Sequence, residues 1–175
     1  LDAFLKHHYD AERKAYRAGM WTDGKPAGNG VVEPWHYAYG SSSVFELGRI
    51  VAYFARDAKE PRYLQAAEQI AAEGARAAIP DKVSIANVAF AMNLSLDLYD
   101  LTRRRRHLAQ AREYAKAGLE RFWVQRGEYG LLVREPRDRY YESKTGAGDF
   151  AAGLLRLSLR EKGSFADAAG WDWRF

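Results

Sequence analysis

Cysteine is absent from the 175 residues, which excludes disulfides, zinc–thiolate sites and thiol nucleophiles. Long apolar runs are also missing: none approaches the roughly 20 residues a membrane-spanning helix needs, so no membrane partner is expected. No initiator Met and no signal-peptide pattern stands at Leu1, so the chain is expected to be a fragment or a processed piece of something longer. Charge of one sign is only slightly in excess, with 27 Lys and Arg against 23 Asp and Glu. That balance favours anionic partners mildly. No nucleic-acid-binding motif accompanies it, and nucleic acid is not expected to be a partner. Histidine is scarce at four. Two of them, His7 and His8, are adjacent, and on a helix adjacent side chains point about 100° apart, which does not suit a shared metal. The sequence therefore points to no metal and no cofactor.

What is present is enough apolar material for a core, 47% of residues, in a chain of single-domain length. Aromatic residues make up 14%. Residues 1–18 carry Leu1, Leu5, Tyr9, Glu12 and Tyr16 at helical spacing and predict a first helix closed by Gly19. The stretch WTDGKPAGNGVVEPWHYAYGSSS, residues 21–43, predicts a Gly-rich loop with a chemically mixed inventory. Ser41, Ser42 or Ser43 can cap the next helix, which runs to Ala58 with Leu47, Ile50, Val51 and Phe54 as its apolar face.

Pro61 suits the first position of a helix reaching Ala78, whose Gln65, Glu68, Gln69, Glu73 and Arg76 form a solvated side. Ser84 can start a helix, 85–101, that is apolar nearly all round and so predicted to be enclosed by other elements. Arg103 to Arg106 read as a solvated basic connection. The next helix, 107–123, turns Leu108, Ala111, Ala115, Leu119 and Phe122 inward. A short β-hairpin is predicted between Leu131–Val133 and Tyr140–Glu142, within an insertion over residues 131–142. A last enclosed helix spans 147–160, Gly163 stops it, and the tail GWDWRF suits a short strand or a docking segment.

The helices repeat. DAKEPRYLQAAEQIA from Asp57 aligns with DLTRRRRHLAQAREYA from Asp100 when one residue is inserted in the second turn, a period of about 44 residues. Enclosed and half-exposed helices alternate along it. Turns of the form D-x-x-E-P-R-Y-L-x-x-A, together with YYESKTGAGDFAAGLLRL re-entering an inner helix after a loop, resemble the α/α-toroid carbohydrate-active enzymes. That group holds polysaccharide lyases, six-hairpin glycosidases and sugar epimerases. The resemblance covers most of residues 41–160. It implies an all-α fold of antiparallel helical hairpins of the α/α-toroid type, a single domain over 1–175 that is part of a larger ring. The remaining hairpins of that toroid would then be a partner, as would a polysaccharide or oligosaccharide.

No diagnostic catalytic motif of one family is present, so site residues follow from chemistry alone. The loop with Glu33, Trp35, His36, Tyr37 and Tyr39, the start of the helix with Asn87, and the segment Arg139, Tyr140, Tyr141, Glu142 and Lys144 are expected to converge at one end of the hairpins. β-Elimination on a uronic-acid polymer needs a carboxylate neutraliser, for which Arg139 or Asn87 would serve. It also needs a base and an acid, roles open to His36, Tyr37, Tyr141 and Lys144. Glu33 and Glu142, with Asp149, could instead supply the carboxylate pair of a glycosidase. Each residue has a plainer reading as well: Trp35 and the tyrosines as packing, His36 as a hydrogen-bonded structural residue, Asn87 and Asp149 as helix caps, Glu142 and Lys144 as solvated groups. A non-catalytic helical-repeat binding module is the third reading.

Overall fold

A computed structural model describes residues 2–13, 15–32, 34–35, 43–133 and 146–163. The chain divides into two compact units, Leu1–Val83 and Ser84–Phe175. Among the described residues the structure is mostly helical, with six helices and two small antiparallel β elements.

The first unit opens with α1 (Asp2–His7), which is much shorter than the predicted helix. Residues 9–17 instead form β1 (Tyr9–Asp10) and β2 (Ala15–Arg17), and β3 (Val31–Val32) joins β2 to complete an antiparallel sheet. The cause is local. The Asp10 carboxylate accepts the backbone N–H groups of Glu12 and Arg13, each at 3.1 Å, and turns the chain back on itself. Tyr9 then faces Tyr16 across the ladder, and Arg17 closes onto Asp10 at 3.0 Å. Gly19 caps no helix; its carbonyl accepts the N–H of Ala27.

Two packed helices follow, α2 (Val44–Ala58) and α3 (Pro61–Arg76). Ser43 is the N-cap of α2, its hydroxyl taking the N–H of Phe45 at 3.2 Å. The apolar face predicted for α2 needs correction: Val51 is buried, but Ile50 and Phe54 are exposed. The buried side is instead built on Phe45, Gly48, Ala52 and Ala55. Those small residues permit a close approach to α3. There the ring of Phe45 lies over Gly74, where a Cβ would come well under 3.0 Å from it.

The second unit contains α4 (Ile85–Thr102), α5 (Arg105–Phe122), β4 (Trp123–Arg126), β5 (Tyr129–Leu132) and α6 (Ala147–Glu161). Ser84 caps α4, and α4 packs against both α5 and α6, which is why it is apolar on most of its circumference. On α5 the inward residues include Tyr114 and Gly118, whereas Leu119 is exposed. The strand at Leu131 exists, but its partner is Val124 rather than a residue of 140–142, which lie outside the described residues. Lys162 and Gly163 (φ 73°) end α6.

The repeat is visible in backbone detail. Lys59 (φ 55°) and Arg103 (φ 56°) are both left-handed C-caps, and each is followed by one extended N-cap residue, Glu60 or Arg104. The N–H of Tyr63 donates to Glu60 at 3.1 Å, and that of His107 to Arg104 at 3.0 Å. Gly118 packs under Phe150 as Gly74 does under Phe45. Lys59 and Arg103, Glu60 and Arg104, Tyr63 and His107, and Gly74 and Gly118 all keep an offset of 44 residues, whereas the covering rings, Phe45 and Phe150, do not. The two links have equal length, so the extra residue in the aligned sequences lies in the helix end before the link, not in the turn.

Candidate functional site

The first unit holds a cleft of about 370 Å³ between α1, the β1–β2 hairpin and α3. Its aromatic wall is Tyr9 and Tyr16, ring centroids 5.3 Å apart and tilted by 57°. Their closeness follows from the strand register, because the Asp10 turn sets them directly opposite each other. Gln65 and Gln69, one helical turn apart on α3, line the other side with Arg62, and Lys6 projects from α1.

Arg62 is held in place. It reaches Glu60 at 2.6 Å and Asp2 at 3.3 Å, and its guanidinium lies 4.9 Å from the Tyr63 ring centre. The Tyr63 hydroxyl donates to Asp2 at 2.8 Å. Burial pushes both cleft phenols above the ordinary tyrosine range, and the neighbouring carboxylate of Glu73 adds to this. Tyr9 and Tyr16 are therefore protonated at neutral pH and act as hydroxyl groups rather than as bases. Glu73 and Gln69 lie beside the Tyr9 hydroxyl, and Gln69 donates to Glu73 at 3.1 Å. The cleft thus offers ring edges, amides, hydroxyls and cations, an inventory for binding a polar ligand.

Of the residues singled out from sequence, three are described. Trp35 is 6% exposed, tilts against Phe45 at 4.8 Å between ring centres, and donates its indole N–H to the carbonyl of Ala77 at 3.0 Å. Those contacts give it a packing role beneath the loop. Asn87 is buried in the first turn of α4 and its backbone N–H donates to Ser84, so Ser84 and not Asn87 is the cap. Asp149 caps nothing either: Gly146 holds that position on α6, and the Asp149 carbonyl accepts from Asn93 at 3.1 Å. Glu33, His36, Tyr37, Tyr39, Arg139, Tyr140, Tyr141, Glu142 and Lys144 lie outside the described residues.

A second polar cluster joins α4 to α6. Arg156 donates to Asn93 at 3.0 Å, to Asp97 at 2.7 Å and to Asp100 at 3.3 Å. Arg160 grips Asp100 with two hydrogen bonds of 2.6 and 2.8 Å. Burial opposes the charge on Arg156, but the two aspartates overcome it and hold the guanidinium protonated. With each arginine matched to carboxylates, this cluster fastens two helices and leaves little for a ligand. Among the described residues no group of three His, Asp or Glu side chains is placed to hold a metal, and no helix is long and apolar enough to cross a membrane.

The chain matches no family model, no curated protein and no solved structure. The cleft residues are not legible in the sequence's periodicity, because Tyr9 and Tyr16 fit a helical period and Gln65 and Gln69 fit a solvated helix face. A legible signal was the short YDAERKAY segment, in which an Asp sits between two tyrosines at hairpin spacing.

Proposed function

We propose that the chain is a carbohydrate-active protein that takes an acidic polysaccharide or oligosaccharide and cuts it by β-elimination, as part of an α/α-toroid. The observation that carries the reading is the character of the cleft. It is small and mixed in character, with two phenols, two amides, a lysine, an arginine and the Asp2 carboxylate around its space. Such a lining matches a hydroxyl-rich sugar face and a carboxylate, whereas a protein-binding groove is broader and more apolar. The equal two-residue links of the two helical hairpins, 44 residues apart, support a hairpin repeat of this type.

In this reading the bond-breaking step falls to the loop residues. One of His36, Tyr37, Tyr141 or Lys144 removes the proton alpha to the uronate carboxylate, whose charge an arginine such as Arg139 offsets; the buried Asn87 is not available for that role. The electron pair forms the new C=C bond as the C–O bond to the leaving sugar breaks, and a second of these groups protonates that oxygen. Incubation with pectate, alginate and glycosaminoglycans should raise the ultraviolet absorbance of unsaturated uronides. His36→Ala should abolish that signal at nearly constant melting temperature. Reducing ends without the absorbance would instead select the glycosidase reading on Glu33 and Glu142.

A non-catalytic protein-binding repeat is favoured by one observation, the exposed Ile50, Tyr53 and Phe54 on α2. No cleavage and no glycan binding would select it.

A further inference from the structure

We infer that Trp123 and the β4–β5 hairpin form a separate saccharide contact, a fixed platform on which one pyranose ring stacks. The inference rests on the carbohydrate reading, but it concerns a different surface from the cleft. The hairpin is rooted in the core. The backbone N–H of Trp123 donates to Leu119 and so closes α5, and Val133 donates to Phe122 at 3.0 Å. Phe122 and Val133 are both fully buried.

The strand register puts Trp123, Gln125, Gly130 and Leu132 on one face. Gly130 has no Cβ, and the six-membered ring of the Trp123 indole fills the space where one would stand. The indole is thereby pinned against the hairpin backbone, yet it remains 47% exposed. Gln125 lies beside it, its amide nitrogen donating to Gly127 at 2.8 Å, which fixes the side chain along the same face.

These features select a ligand. The rotamer freedom of the ring is lost before any ligand arrives, so binding does not have to offset it. A pyranose presents a flat C–H face that packs on an aromatic ring, and its hydroxyls reach the neighbouring amide. One ring and one amide are far too small for a stable protein partner, which needs about 800 Å² on each side. Arg126 and Glu128 at the hairpin tip carry opposite charges, so binding here should be nearly independent of salt.

The test uses the intact chain with tetragalacturonate and cellotetraose as probes: affinity is measured for every variant by titration calorimetry, and in the parent chain the place of binding is read through the indole N–H resonance of Trp123, assigned with Trp123→Phe. A saturable shift of that resonance is expected. Trp123→Ala should weaken binding at least tenfold, and Gly130→Ala, which dislodges the indole without removing it, should weaken it in the same direction. Trp123→Phe, which keeps a flat ring, should retain most of the affinity and serves where the alanine variant does not fold. Glycan that is bound or cut without moving the Trp123 resonance, or binding equal in Trp123→Ala, overturns the platform and leaves the carbohydrate reading standing. A thymidine hexanucleotide shifting the resonance when neither saccharide does also overturns it. No glycan binding and no cleavage by the parent chain removes both.

Discussion

The same substitution should act with opposite sign at two glycines of the second unit. Gly118 lies inside α5 and Gly148 in the first turn of α6. On helix propensity alone, Gly→Ala stabilises by about 0.5–1 kcal/mol at either place, because the unfolded chain loses freedom. At Gly148 a Cβ meets nothing within 4 Å. The gain should appear there, raising the melting temperature by roughly 2–6 °C. At Gly118 the Cβ would overlap the ring of Phe150, which is fully buried and has nowhere to go. Forcing the ring or the helices apart costs about 1–3 kcal/mol, which outweighs the propensity gain and leaves a net loss of up to about 2.5 kcal/mol.

Adding Phe150→Leu removes the atoms in the way. The double variant should then lose less than the sum of its single changes, by at least ~0.5 kcal/mol. Urea and thermal unfolding of the four variants and the parent chain decide the matter. If Gly118→Ala stabilises as Gly148→Ala does, or if the double variant is additive, the close contact between α5 and α6 is not as described.

The α4–α6 cluster should be costly to halve. Asp100→Ala removes the carboxylate that the buried Arg160 grips with two hydrogen bonds and should lower stability by about 3 kcal/mol, while adding Arg160→Met should recover much of it in urea unfolding. Trp35→Phe removes the indole hydrogen bond to Ala77 and should cost about 1 kcal/mol without changing glycan affinity, as titration of the same variant will show. Stability should also fall in two stages on acidification. Burial, and then the charge of Arg17, hold His8 below its ordinary 6.5, so its contribution is complete above that pH and declines as the pH falls toward the lower folded value. The Arg13 N–H, with Arg17, holds Asp10 below its ordinary 3.8, so its contribution is lost only beneath that point. His8→Gln should flatten the upper stage of urea midpoints plotted against pH, and Asp10→Asn the lower.

Helices with caps and a strong period were legible residue by residue. Ser43, Pro61 and Ser84 sit at the starts that their chemistry implies, and the broad apolar surface of α4 correctly signals a helix with neighbours on two sides. What misled was competition at short range. Tyr9 and Tyr16 fit a helical period, but the Asp10 side chain takes two backbone N–H groups and turns the chain into a hairpin. On α2, large apolar residues suggested the buried face, whereas Gly48, Ala52 and Ala55 decide it because they let the neighbouring helix come close. The salt cluster was hidden for a related reason: Asn93, Asp97 and Asp100 are spaced along a helix that looks apolar, and their partners come more than fifty residues later. Of the site read from sequence, Trp35, Asn87 and Asp149 fall within the described residues; the first two are buried and Asp149 is half-buried on α6.

The two-residue links have a consequence for engineering. Lys59–Glu60 and Arg103–Arg104 differ in both side chains and in net charge, yet they trace one backbone path. The bend between paired helices is therefore encoded in dihedral angles rather than in the ions that decorate it. The links are interchangeable parts: either dipeptide should splice into the other hairpin, and a left-handed residue followed by an extended one is the specification a builder would need to append a further hairpin of the same pitch.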